Sequence, residues 1–235
     1  MDEEQSRSEF RSPGCSGTPC NIRQMRAASI ERIVQLEWEF FQDVNNVGGR
    51  ASCQDMPWTF SVMRESQFCI WTEDMLLSYL GDLRAAQDEG RNPLTEKYAY
   101  MMRSTHPDEF ARIEDALPIV GAEKSMLIER IVAIQIVWAE ELAARYPHFT
   151  GRGRAIHTAD DTQDITSLET YSRGELSTYS EQTLRLMLAH FEEAFDAGTN
   201  LQIDVDDRIA RSYGYNGLDA AEAALAQKAA DHATE

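Results

Sequence analysis

From Ala27 onward, apolar residues recur at the three-and-four spacing of an α-helix, and strand-like alternation is absent. That pattern restricts the chain to an all-α fold. Ile30, Ile33, Val34, Phe41 and Val44 share one arc of a first helix, which Gly48 and Gly49 are expected to close. The stretch from Met56 to Trp71 is apolar on most sides and predicts a central, buried helix. Thr72 with Glu73 and Asp74 opens the next helix, and Gly90 stops it. Asn92-Pro93 starts another, and a short one follows Pro107. Leu127, Ile131, Ile134, Trp138 and Leu142 mark an amphipathic helix reaching Tyr146. After a loop, Thr166 and Glu169 form a capping box that opens the longest helix, running towards Gly198. Gly174 inside it costs about 1 kcal/mol relative to alanine, which points to close approach by another element or a ligand. Two short helices end the chain, the last rich in alanine. The expectation is a single bundle of about seven to nine helices over residues 26–235. A disordered tail rich in Ser, Gly, Pro and Arg precedes it over residues 1–25.

Hydrophobic residues make up 43% of the 235, enough for a substantial core. No apolar run approaches the roughly 20 residues that span a bilayer. The first residues lack a signal-peptide pattern, so a cytoplasmic protein is expected, with Cys15, Cys20, Cys53 and Cys69 as thiols. The net charge of −18 repels phosphate backbones and anionic lipid, which argues against nucleic-acid and membrane partners.

Polar groups interrupt the apolar stripes. Glu37 is central in the first stripe, Arg64 and Gln67 share a face with Phe60 and Trp71, and Glu175 lies between Tyr171 and Tyr179. Buried ions must be paired, coordinated or wet, so the pattern suggests an internal polar site. Glu175 beside Tyr179, with Glu37, could serve as proton-handling groups. Arg50, Arg64, Gln67, Arg173 and Glu141 could hold an anionic or amide-bearing ligand, or Glu37, Glu141 and Glu175 could pair with the available cations Arg50, Arg64, Lys97 and Arg173 in a structural network. The turn Asn45-Asn46-Val47-Gly48-Gly49-Arg50, with Gln54, reads either as a helix C-cap or as the anion-binding mouth of a pocket. Three inward carboxylates without any Glu-x-x-His pair do not make a ferritin-like di-metal site, so no metal ligands and no cofactor are assigned. Arg152 and His157 have the R-x4-H spacing of helical ribonucleases, but glycines place them on a loop. Arg152 and Arg154 there could instead clamp an anion over the pocket.

Several stretches carry a resemblance: Glu37-Trp38, residues 45–54, FSVMRESQF (60–68), EKYAYMM (96–102), Trp138 to Glu141, GRGRAIH (151–157) and TSLETYSRGELSTYS (166–180). In these the chain resembles a bacterial family known as domain of unknown function 4125, over roughly residues 29 to 217. The family name implies no activity. In some of its members the helical domain accompanies a nucleotidyltransferase-like domain, whose glycine-serine and paired-aspartate signature is missing here.

The leading expectation is an internal polar pocket that binds a small anionic or amide-bearing molecule and could transform it by acid/base chemistry. The alternative is a non-catalytic interaction module working with a nucleotidyltransferase-like partner. Behind both stand a helical ribonuclease and a carboxylate-bound metal enzyme.

Overall fold

The computed structural model describes residues 19–45 and 49–232. Asn46, Gly48, Cys15 and the rest of residues 1–18 lie outside the described residues. Within them the fold is all-α, with helices α1 (Pro19–Gln42), α2 (Pro57–Phe68), α3 (Glu73–Asp88), α4 (Pro93–Thr105), α5 (Pro107–Phe110), α6 (Ala122–Arg145), α7 (Pro147–Thr150), α8 (Leu168–Leu176), α9 (Glu181–Asp196), α10 (Leu201–Ser212) and α11 (Leu218–His232). Eleven helices exceed the seven to nine expected. One addition is α7, a single turn with proline at its first position, where the missing N–H costs nothing. The other arises because the long helix expected from Thr166 to Gly198 is two. Ser180 breaks it by accepting a hydrogen bond from the Thr183 amide as the N-cap of α9. The start of α8 also differs from expectation. Ser167, not Thr166, is its N-cap, and Glu169 turns away to accept from the Thr158 amide and from Arg173.

Other ends follow the sequence. Thr72 and Asn92 cap α3 and α4 through side-chain oxygens, at 3.3 Å to the Met75 amide and 3.0 Å to the Leu94 amide. Gly90 and Gly198 adopt φ of 68° and 69° after α3 and α9. The following amides reach back five residues, Arg91 to Ala86 and Thr199 to Ala194, as in a left-handed helix stop. The first helix behaves differently at both ends. It begins at Pro19, so residues 19–25 are helical, and it stops at Gln42, short of the glycines. Gln54 substitutes for a glycine cap by donating its amide N–H groups to the carbonyls of Phe41 (2.8 Å) and Val44 (3.1 Å).

The main core joins α1, α2, α3, α6 and α9 through Ile33, Leu36, Phe68, Leu76, Ile131 and Leu184, with Trp71 from the turn before α3. Helix α4 packs on α8, α6 on α9, α1 on α3, and α10 on α2, α6 and α11. The second helix is not the buried rod that its composition suggests. Trp58 and Met63 are 55% and 47% exposed, while Arg64 faces inward at 8%. A cation held by two carboxylates has outcompeted apolar side chains for the interior face, because those carboxylates would otherwise be buried without their shared partner.

Candidate functional site

Four buried charges from four helices meet at one place. Glu37 comes from α1, Arg64 from α2, Lys97 from α4 and Glu175 from α8, and none is more than 8% exposed. Arg64 donates through Nε to Glu37 Oε2 at 2.7 Å and through Nη2 to Oε1, a bidentate grip on one carboxylate. Its Nη1 donates to Glu175 Oε1 at 2.9 Å and to Gln67 Oε1 at 2.6 Å. Lys97 Nζ donates to Glu175 Oε2 at 2.8 Å and to the Tyr171 hydroxyl. Tyr79 donates to Glu37 at 2.7 Å and Tyr179 to Glu175 at 2.8 Å. Two negative and two positive charges cancel.

Close helix packing holds Lys97 in this position. Gly174 lets α8 approach α4, for a Cβ there would sit 2.7 Å from Met101 Cγ and 2.9 Å from the Lys97 carbonyl oxygen. The close approach implied by that glycine is therefore to another helix. Tyr179, in the turn between α8 and α9 just before Ser180, completes the cluster at 1% exposure.

The electrostatics freeze this group. Burial by itself would raise the Glu175 carboxyl, but Arg64 and Lys97 together hold it well below the usual range. Burial would lower Lys97, and Glu175 followed by Tyr171 reverses that, so it stays protonated. Tyr79 and Tyr179 are pushed well above the ordinary phenol value, by burial first and then by Glu37 and Glu175 respectively. A carboxylate that resists protonation and phenols that resist ionisation are poor proton carriers.

A cavity of about 840 Å³ adjoins the network, lined there by Glu37, Arg64, Gln67, Lys97, Tyr98, Tyr171 and Glu175. Helices α6 and α10 line it further with Gln135, Trp138, Val205, Asp206 and Ile209. Residues 149–151 and 153–156 also border it, and Arg154 lies 4.9 Å over the Tyr171 ring while donating to the Thr166 carbonyl at 2.9 Å.

Glu37, Arg64, Gln67, Glu175 and Tyr179 thus converge, and Arg154 borders the same space. The remaining candidates lie elsewhere. Arg50 is exposed and bonds Asp55, Gln42 and the Gln54 carbonyl, tying the turn that caps α1, and neither it nor Gln54 lines the cavity. Asn45 is exposed and donates to the Asp43 carbonyl, and Gly49 takes a φ of 90° in the same turn. Glu141 is exposed and accepts from Asn200, outside the network. Arg173 points outward to Glu129 and Glu169. Arg152 is exposed and does not line the cavity. His157 lies on the loop and faces Glu140 at 3.2 Å.

Sequence reasoning did not single out Tyr79, Tyr98, Gln135 or Asp206 as site residues, and it treated Lys97 only as an available counter-ion. Tyr79 sits on an apolar stripe where a phenol looks like packing. Asp206 carries a usable signal, an acid between Val205 and Ile209 on a short helix. Among the described residues no group of three or more His, Cys, Asp or Glu side chains could hold a metal ion, and no helix is long and apolar enough to cross a membrane.

The model of a protein family described as "Protein of unknown function (DUF4125)" matches residues 27–223. Neither a curated protein nor a solved structure matches the chain.

Proposed function

The chain belongs to the DUF4125 family, and from that premise we propose that it is a small-molecule-binding protein whose ligand occupies the cavity beside the Glu37–Arg64–Glu175–Lys97 network. One observation carries this reading. A space of about 840 Å³ is bordered by paired charges drawn from four helices. That volume lies in the range of small-molecule sites, where an apolar lining carries a few fixed polar groups. The paired charges hold the wall rigid and leave it neutral. The donors with capacity left for an anionic or amide-bearing ligand are the Tyr98 hydroxyl, the second N–H of the Gln67 amide, whose Nε2 also reaches Glu175, and the rest of the Arg154 guanidinium at the rim, which also donates to the Thr166 carbonyl. Binding, rather than acid/base turnover, fits groups whose protonation is locked.

A thermal-shift screen with small carboxylates, phosphates and amides tests the reading. A binder present at a hundred times its Kd stabilises by about 2.7 kcal/mol, which raises the melting temperature by several degrees. Arg154→Ala should shrink that rise without changing the melting temperature of the unliganded protein by more than about a degree, as befits an exposed side chain. A screen in which no compound raises the melting temperature contradicts the proposal.

The exposed Met56, Trp58 and Met63 support the second reading, an interaction module for a nucleotidyltransferase-like partner. Co-elution of such a domain with the wild type, lost in Trp58→Ser, would favour it.

A further inference from the structure

Among the charged side chains that line the cavity, Glu37, Arg64, Lys97 and Glu175 neutralise one another. Two lack an ion pair among the described residues: Arg154, exposed at the rim, and Asp206, which is 9% exposed. Asp206 sits on α10 between Val205 and Ile209, with Gln135 and Trp138 of α6 on the same lining. Its Oδ1 accepts from Gln202 Nε2 at 3.1 Å, and Oδ2 has no hydrogen-bond partner among the described residues. Helices α2, α6 and α11 pack against α10. None of them forms an ion pair with this carboxylate among the described residues, and Arg208 of α10 itself pairs with Glu65 of α2 at 3.8 Å. A buried carboxylate with one neutral partner is costly to keep ionised, and a cation brought by a ligand would remove that cost.

We propose that Asp206 is a cation-recognising subsite of the cavity, which takes the ammonium group of an amine whose apolar body lies along Trp138, Val205 and Ile209. This deepens the binding reading and rests on it: the ligand carries an ammonium for Asp206 and an anionic or amide group for the Gln67, Tyr98 and Arg154 side. The chemistry suits an ammonium better than a metal ion, since one carboxylate and neighbouring amides fall short of the six or more oxygens a hard cation wants. Supporting the geometry, burial pushes the Asp206 carboxyl up to about 6, with the Gln202 hydrogen bond opposing only in part.

Four probes of one shape separate the possibilities: phenethylamine, phenethyl alcohol, hydrocinnamate and hydrocinnamamide, each titrated by calorimetry into wild type and Asp206→Asn at neutral pH. The amine should bind wild type about tenfold or more tighter than the alcohol, the difference a charge-assisted hydrogen bond makes, and Asp206→Asn should abolish that preference. Equal binding of amine and alcohol by wild type overturns the subsite, as does an amine preference that survives in Asp206→Asn. Binding of hydrocinnamate or its amide without the amine overturns the subsite alone and leaves the binding reading standing. If none of the four binds, the subsite falls, while the broader thermal-shift screen still decides the binding reading. Should the variant fail to fold, the amine-to-alcohol ratio of the wild type still supports or overturns the subsite.

Discussion

Glu175 and Asp206 line the same cavity from different helices, both less than a tenth exposed, and their protonation behaviour is opposite. Glu175 accepts from Arg64, Lys97, Gln67 and Tyr179, and is held ionised far into acid. Among the described residues Asp206 accepts from Gln202 alone, and burial lifts its carboxyl to about 6. Desolvation raises both. What differs is whether cations are already in place to repay it. A carboxylate with its partners built in serves the fold, whereas one without them has capacity left for a ligand.

Removing the shared cation should have the largest effect. Arg64→Met leaves Glu37 without its bidentate partner and Glu175 with Lys97 as its one remaining cation among the described residues, so about 3–5 kcal/mol of stability should be lost in urea unfolding. A loss under about 1 kcal/mol, the scale of a surface pair, would mean the network is not the keystone its geometry indicates.

At Asp206 the sign reverses. The folded chain holds that proton to higher pH than the unfolded chain, whose carboxyl loses it near 3.8. The Asp206 contribution to stability should therefore fall by up to about 3 kcal/mol as pH rises from about 4 to 6 and should not return above that window, opposing the gain that the depressed Glu175 carboxyl makes as pH rises. Asp206→Asn should lack this slope and match or exceed wild type at neutral pH, as read from unfolding midpoints across the range.

The smallest effect belongs to Arg173, whose pairs with Glu129 and Glu169 are solvent-facing. Arg173→Ala should cost about 0–1 kcal/mol, and less at high salt. Equal losses for Arg173→Ala and Arg64→Met would erase the distinction between surface and interior pairs.

How much of this is legible in the sequence depends on the residue. Glu37 and Arg64 stand where helical spacing demands apolar side chains, and their convergence follows from that. Lys97 and Tyr79 give no such signal, because a lysine on an amphipathic helix and a tyrosine on an apolar stripe are ordinary at their own positions. Their role exists only through Glu175 and Glu37, 78 and 42 residues away in the chain. Glu141 misleads because it lies near the edge of its stripe, where a small helix rotation decides between core and solvent, and Arg173 because the surface acids Glu129 and Glu169 satisfy it instead of the inward carboxylates. Arg50 and Gln54 resemble an anion site because capping a helix C-terminus from a distant glutamine leaves no local pattern. The break at Ser180 is readable, since Ser180 followed by Glu181 is an N-cap signal that continuous apolar spacing conceals.

The contrast between the two carboxylates can be measured directly by following their side-chain carbonyl carbons by NMR through a pH titration, with Glu175→Gln and Asp206→Asn assigning the signals. Asp206 should titrate near 6 while Glu175 stays ionised down to the onset of acid unfolding. Both carboxyls titrating together near about 4, as free side chains do, would contradict the account.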